Sequence, residues 1–216
     1  MGRFDWLELG RETKDLPLGR QETFDAGDFL QKADRDFRQG AYESALRQYA
    51  KALREDPGLE DAWLGQVLSL IELRELHEAR TWANKGLESI PDSPKLLCAK
   101  ALVLAMMGDF SDAVALAERA ISKRQPPPFV WLLRGLVLLN LEPPGNAAFC
   151  FAKAVESAGD DPSVALRIGM AYVEKGDFAR AKSHLDRAVQ KDSANPLAWH
   201  ALGRCFEGLY APTRAA

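Results

Sequence analysis

Three stretches of this chain, Trp63 to Leu73, Leu96 to Met107 and Val130 to Leu141, are apolar at nearly every position. Each has the length of a short helix, and a helix that is hydrophobic all round is normally buried all round. The stretches recur at a fixed interval. Alanine stands at Ala45, Ala79, Ala113, Ala147, Ala181 and Ala215, each 34 residues after the last. In the same register Phe29, Trp63, Leu97, Trp131, Ala165 and Trp199 open the units, and small residues follow at Ala33, Ala101, Gly135, Gly169 and Gly203. A period of this length predicts pairs of helices that cannot bury their apolar stripes alone and stack on their neighbours. Five full units are expected, at 26–59, 60–93, 94–127, 128–161 and 162–195, with a partial sixth over 196–216 and a separate segment over 1–25.

Turn chemistry agrees with the register. Gly40, Gly108 and Gly176 close first helices, where glycine accepts the left-handed cap conformation. Ser93-Pro94, Asp161-Pro162 and Asn195-Pro196 read as N-caps followed by proline at the first helical position. The fourth unit departs, with Pro126-Pro-Pro128 before its first helix and Glu142-Pro-Pro-Gly145 as its turn. These stiffer connections are expected to change the local superhelical angle.

The marker alanines, the large opening residues and the small positions together resemble the tetratricopeptide repeat (TPR) family. The resemblance implies an all-α fold, a right-handed α-solenoid of helix-turn-helix repeats. It also implies that each first helix lines a concave groove while each second helix faces outward. The groove positions carried across are Leu64, Leu68 and Ile71 in unit two, and Cys98, Leu102 and Met106 in unit three. Unit four supplies Leu132, Leu136, Leu139 and Asn140, and unit five Leu166, Arg167 and Met170. The outer units are more polar, with Gln31, Asp34 and Arg38 at one end and His200, Arg204 and Glu207 at the other. A subset of the family clamps the C-termini of heat-shock chaperones with Lys, Asn, Asn, Lys and Arg. Here those positions hold Leu30, Asp34, Gly65, Lys95 and Ala99, so only the lysine matches and that activity is not expected.

About a dozen apolar side chains on an open concave face would expose ~600 Å², the upper end for a monomer. Burying that area is worth ~15 kcal/mol before ordering costs. Two covers are expected to compete: a partner segment, or superhelical curvature strong enough to close the groove on itself. The first 25 residues offer a third, because Phe4, Trp6, Leu7 and Leu9 form a docking motif outside the repeat pattern. That segment is expected to occlude the groove in cis, to reach a partner in trans, or to cap unit one. At the other end Trp199, Leu202 and Phe206 lack part of their cover, which allows association of copies through the C-terminal helix.

Composition narrows the function. The chain is 47% hydrophobic with a formal net charge of −3, against a nucleic-acid surface, which needs a basic stripe. No apolar run follows a basic start, so no signal peptide is expected, and no stretch has the ~20 apolar residues of a membrane span. Cys98, Cys150 and Cys205 cannot all pair and read as buried free thiols in a reducing compartment, the cytoplasm. No catalytic, metal-binding or phosphate-binding motif is present, so no enzyme, cofactor or metal site is expected. Cys150 and His184 share a register position in successive units, and a nucleophile–base pair is the sharper of two readings; a core thiol beside an interfacial histidine is the other. The expected function is a non-catalytic scaffold or adaptor binding a helical or extended, amphipathic or apolar segment of another protein. A self-assembling structural unit is the alternative.

Overall fold

The computed structural model describes residues 25–122, 126–141 and 146–210. The docking motif Phe4, Trp6, Leu7 and Leu9, the Glu142–Gly145 turn and the last marker, Ala215, lie outside the described residues. The described residues form eleven helices and no strand: α1 (Ala26–Arg38), α2 (Tyr42–Glu55), α3 (Glu60–Glu72), α4 (Leu76–Ser89), α5 (Pro94–Met107), α6 (Phe110–Ile121), α7 (Pro128–Asn140), α8 (Ala147–Ala158), α9 (Pro162–Glu174), α10 (Phe178–Lys191) and α11 (Pro196–Tyr210). Odd-numbered helices pack against the even-numbered helix that follows and against the next odd-numbered one, which makes an α-solenoid.

The local signals act as their chemistry requires. The Ser93 hydroxyl accepts from the Leu96 amide at 3.1 Å, Asp161 from Ser163 at 2.8 Å and Asn195 from Leu197 at 3.0 Å. Gly40, Gly108 and Gly176 end their first helices at positive φ. The marker alanines Ala45, Ala79, Ala113, Ala147 and Ala181 are all buried. Smallness at this register position is enforced by contact in two units: a methyl on Gly135 would meet the Phe151 ring at 2.4 Å, and one on Gly169 the Leu185 side chain at 2.5 Å. Trp63 is buried, lies 6.0 Å from Trp82 and donates its indole N–H to the Pro57 carbonyl at 2.8 Å. Trp199 makes the same bond to Ser193, yet it is 52% exposed.

Unit four bends the solenoid. Here α5 lies much closer along α7 than any other successive pair of first helices, while α6 and α8 barely touch the first helices that follow them. Small residues permit the approach: Cys98, Ala101 and Ala105 on α5 are buried, and the Cys98 thiol points at the Val130 carbonyl at 3.7 Å. Drawing first helices together while second helices splay curls the concave face inward. The curl brings non-neighbouring units into contact. A methyl of Leu197 rests on Gly40, the Arg167 guanidinium lies 4.7 Å from the centre of the Phe37 ring, and ion pairs join the end of α3 and the turn after it to α9.

Candidate functional site: the enclosed concave groove

Of the covers weighed for the concave face, the chain's own curvature is the one visible among the described residues. Leu64, Leu68, Ile71, Leu102, Leu136 and Leu166 are each less than a tenth exposed, because the curvature folds α1 to α5 over toward α9 and α11. Two adjoining, partly open clefts lie along the groove. The larger, ≈ 580 Å³, lies between α1–α3 and α9–α11, with Phe37, Leu64, Leu68, Leu166 and Met170 among its apolar walls. The smaller, ≈ 290 Å³, is lined by α3, α5, α7 and α9 and is open on one side.

Of the residues predicted for the groove, Leu64 and Leu166 line the larger cavity. Ile71, Leu102, Met106, Leu136, Leu139 and Asn140 line the smaller, while Leu68, Arg167 and Met170 face both. Cys98 and Leu132 line neither. They are fully buried between helices, where the tight α5–α7 approach has turned them into core. Asn140 donates to the Leu136 carbonyl of its own helix at 2.8 Å. Among the outer-unit residues, Asp34 and Arg38 reach the larger cavity.

Polar groups ring the apolar walls, and most are already engaged. The Tyr49 hydroxyl donates to Asp34 at 2.8 Å, and burial raises the pKa of both. Burial, with the negative charge of Glu72 behind it, pushes the Tyr42 phenol up to about 12, so it is neutral at ordinary pH. Lys95 spans Asp61 at 2.6 Å and Glu60 at 3.2 Å. Burial alone would lower its pKa, but those two carboxylates hold it raised. The one lysine that matched the chaperone-tail clamp is thus committed to its own chain.

Two pairs cross the groove. Arg74 Nη2 lies 2.8 Å from Glu174, and Arg167 Nη1 lies 3.3 Å from Glu72. The second pair is the drier, with side chains 17% and 24% exposed. Arg74, Glu72 and Phe37 escaped the sequence reading, although Arg74 carried a signal. It occupies the register position held by Gly40, Gly108 and Gly176 and adopts φ 63°, a conformation that costs a non-glycine residue about 1 kcal/mol.

The cysteine and histidine of the nucleophile–base reading engage different partners. Arg134 Nη1 donates to the Cys150 sulfur at 2.9 Å, and burial nevertheless raises the pKa of that thiol. Nucleophilic cysteines need the opposite shift. His184 stacks on Tyr172 with ring centroids 5.9 Å apart. Burial first, and then the positive charge of Arg187, lower its pKa from 6.5. The unfolded chain therefore binds this proton more readily than the folded one, and stability rises with pH through that range. Acidification from about pH 7 to about pH 5 is expected to destabilise the fold. His184→Gln should flatten that slope in urea titrations run at each pH.

No group of His, Cys, Asp and Glu among the described residues could hold a metal ion, and no described helix is long and apolar enough to cross a membrane.

Family models described as "Tetratricopeptide repeat" match residues 30–94, 98–162 and 162–205. Among curated proteins, human "Tetratricopeptide repeat protein 13" is 23% identical over 172 residues, 77% of this chain and 20% of that protein. "Pre-mRNA-splicing factor 6" of Saccharomyces cerevisiae is 22% identical over 182 residues, 84% of this chain and 20% of that one. The chain thus spans about one fifth of the length of these two relatives. Among solved structures, the TPR protein TTC0263 of Thermus thermophilus superposes with a TM-score of 0.63 at 17% identity, covering 85% of this chain and 98% of that one. A tetratricopeptide repeat protein of Parabacteroides merdae gives 0.59 at 17% identity, over 86% and 72% of the two chains. At such identities the likeness is one of fold.

Proposed function

The chain belongs to the tetratricopeptide repeat family, whose fold is a scaffold for protein–protein interaction, and from that premise we propose that it holds a segment of another protein in the space between its first helices. The observation that carries this reading is the apolar wall shared by α3, α5, α7 and α9, continuous across both cavities and bordered by polar groups. An occupant matching it is apolar or amphipathic. Size limits it further. A helix with its side chains is about 10 Å across, so about 7 Å of its length, roughly five residues, matches 580 Å³. The closed groove thus suits a short extended stretch or a single helical turn, and a longer helix needs a wider groove. No catalytic step forms part of this reading.

A peptide-display selection against the full chain tests it. Selected peptides are expected to lose at least tenfold in affinity for Met170→Arg, which places a charge in both cavities, and to keep their affinity for Phe149→Arg on the outer surface. The reverse pattern would move the binding surface to the convex side.

A second reading, association of copies through α11, draws on Trp199, Leu209 and Tyr210, which are 52%, 38% and 76% exposed. Light-scattering mass that grows with concentration, and stops growing in Trp199→Ser, is its expected signature. A mass independent of concentration excludes it.

A further inference from the structure

The two ion pairs across the groove are 95 and 100 residues long-range in sequence, yet both join one short region, the end of α3 and its turn, to one helix, α9. We propose that Arg74–Glu174 and Glu72–Arg167 form a releasable clasp that holds the groove closed, so that a partner segment longer than the cavities accommodate is admitted only when the clasp opens. This inference rests on the reading of the groove as a binding surface.

Three features make it a clasp and not incidental surface chemistry. First, position 74 is where units one, three and five place glycine, and in this unit an arginine accepts the left-handed backbone conformation, φ 63°, while its side chain spans the groove. Strained residues of this kind persist where the surroundings hold them, and they gather at switching sites. Second, the two pairs differ in wetness. Arg74 and Glu174 are 62% and 48% exposed, so water and salt reach them, whereas the inner pair is largely covered. An outer pair that screens easily beside an inner pair that does not is a graded fastening. Third, the inner arginine also lies over the Phe37 ring, so it ties α9 to unit one as well as to unit two. The seat of Leu197 on Gly40 adds an apolar contact between α11 and the turn after α1.

The test needs no partner, so its failure is separable from failure of the binding reading. Spin labels are placed on Thr81→Cys and Ser183→Cys, exposed positions of the same register on α4 and α10. The three native cysteines are buried. The full chain is expected to give one narrow distance distribution at low salt. Arg74→Gly should add a population at longer distance, and Arg74→Gly with Glu72→Gln should make it the major one. Raising salt to about 1 M, where charges are screened beyond about 3 Å, should move the unsubstituted chain the same way. Exchanging the outer charges, Arg74→Glu with Glu174→Arg, should restore the narrow distribution. In parallel the apolar dye 1-anilinonaphthalene-8-sulfonate should brighten severalfold on the doubly substituted chain. Coincident distance distributions for the unsubstituted and doubly substituted chains, at both salt concentrations, would overturn the clasp. Thermal unfolding separates opening from misfolding, because Arg74→Gly relieves backbone strain and should leave the midpoint unchanged or higher.

Discussion

Phe151→Ala is expected to lower the free energy of unfolding by about 3–5 kcal/mol, the range for removing a fully buried aromatic ring. For a domain of this size that corresponds to a melting temperature lower by about 10 °C. Phe151 is 1% exposed and fills the hollow left by Gly135 on the facing helix. Its ring also meets Tyr172 edge-on at 5.5 Å, across the junction between units four and five. Helix packing is sparser at that junction than at any other, and a hydrogen bond from Arg187 to the Gly159 carbonyl at 2.9 Å and a Lys191–Asp160 ion pair at 2.6 Å are its polar links. Solenoid stability is close to a sum of unit terms and nearest-neighbour interface terms. A cavity at a sparse interface should therefore do more than lower the midpoint. Calorimetry is expected to resolve two transitions, α1–α8 melting apart from α9–α11. A single transition with a small shift would show that the contacts across the groove, and not the unit-four junction, carry the coupling.

The second large effect has the opposite sign. Gln66→Leu is expected to stabilise the chain by about 1–3 kcal/mol, the cost of an amide buried without partners. Gln66 is fully buried, and neither its Oε1 nor its Nε2 has a hydrogen-bond partner. Units three and four place Lys100 and Arg134 at this register position, but units five and six place buried aliphatic side chains there, Ile168 and Leu202. Leucine matches glutamine closely in volume, so little repacking is required. The urea midpoint should rise with an unchanged m-value. A lower midpoint would mean that the amide contributes to the native state through contacts the fold does not display.

Much of the architecture was legible because its causes are local. A left-handed cap needs glycine at 40, 108 and 176, a helix start needs Ser93, Asp161 or Asn195, and a close crossing needs Gly135. Each can be seen within one unit. Closure of the groove is different in kind. It sums small rotations between successive units, and the tight α5–α7 approach beside the proline-rich start of unit four is the visible departure from the regular stack. Sequence flagged that unit as irregular but carried no sign of how far the curl would go. Cys98 and Leu132 show the effect: their register points to the groove, while the tight crossing leaves both fully buried. The same summation brought Arg167 to Glu72 and Arg74 to Glu174. Of those four, only Arg74 announced itself, by standing where its counterparts are glycine.

The central claim, that the inner face of this solenoid is where a partner is held, is tested most directly by a photo-crosslinking amino acid placed at position 170, facing both cavities, and separately at position 149 on the outer face. In cells that make the protein, crosslinking from position 170 should give a discrete adduct with another polypeptide. That adduct should disappear when a display-selected peptide is co-expressed, and position 149 should give none. Adducts from position 149 alone, with position 170 reacting only within its own chain, would contradict the account.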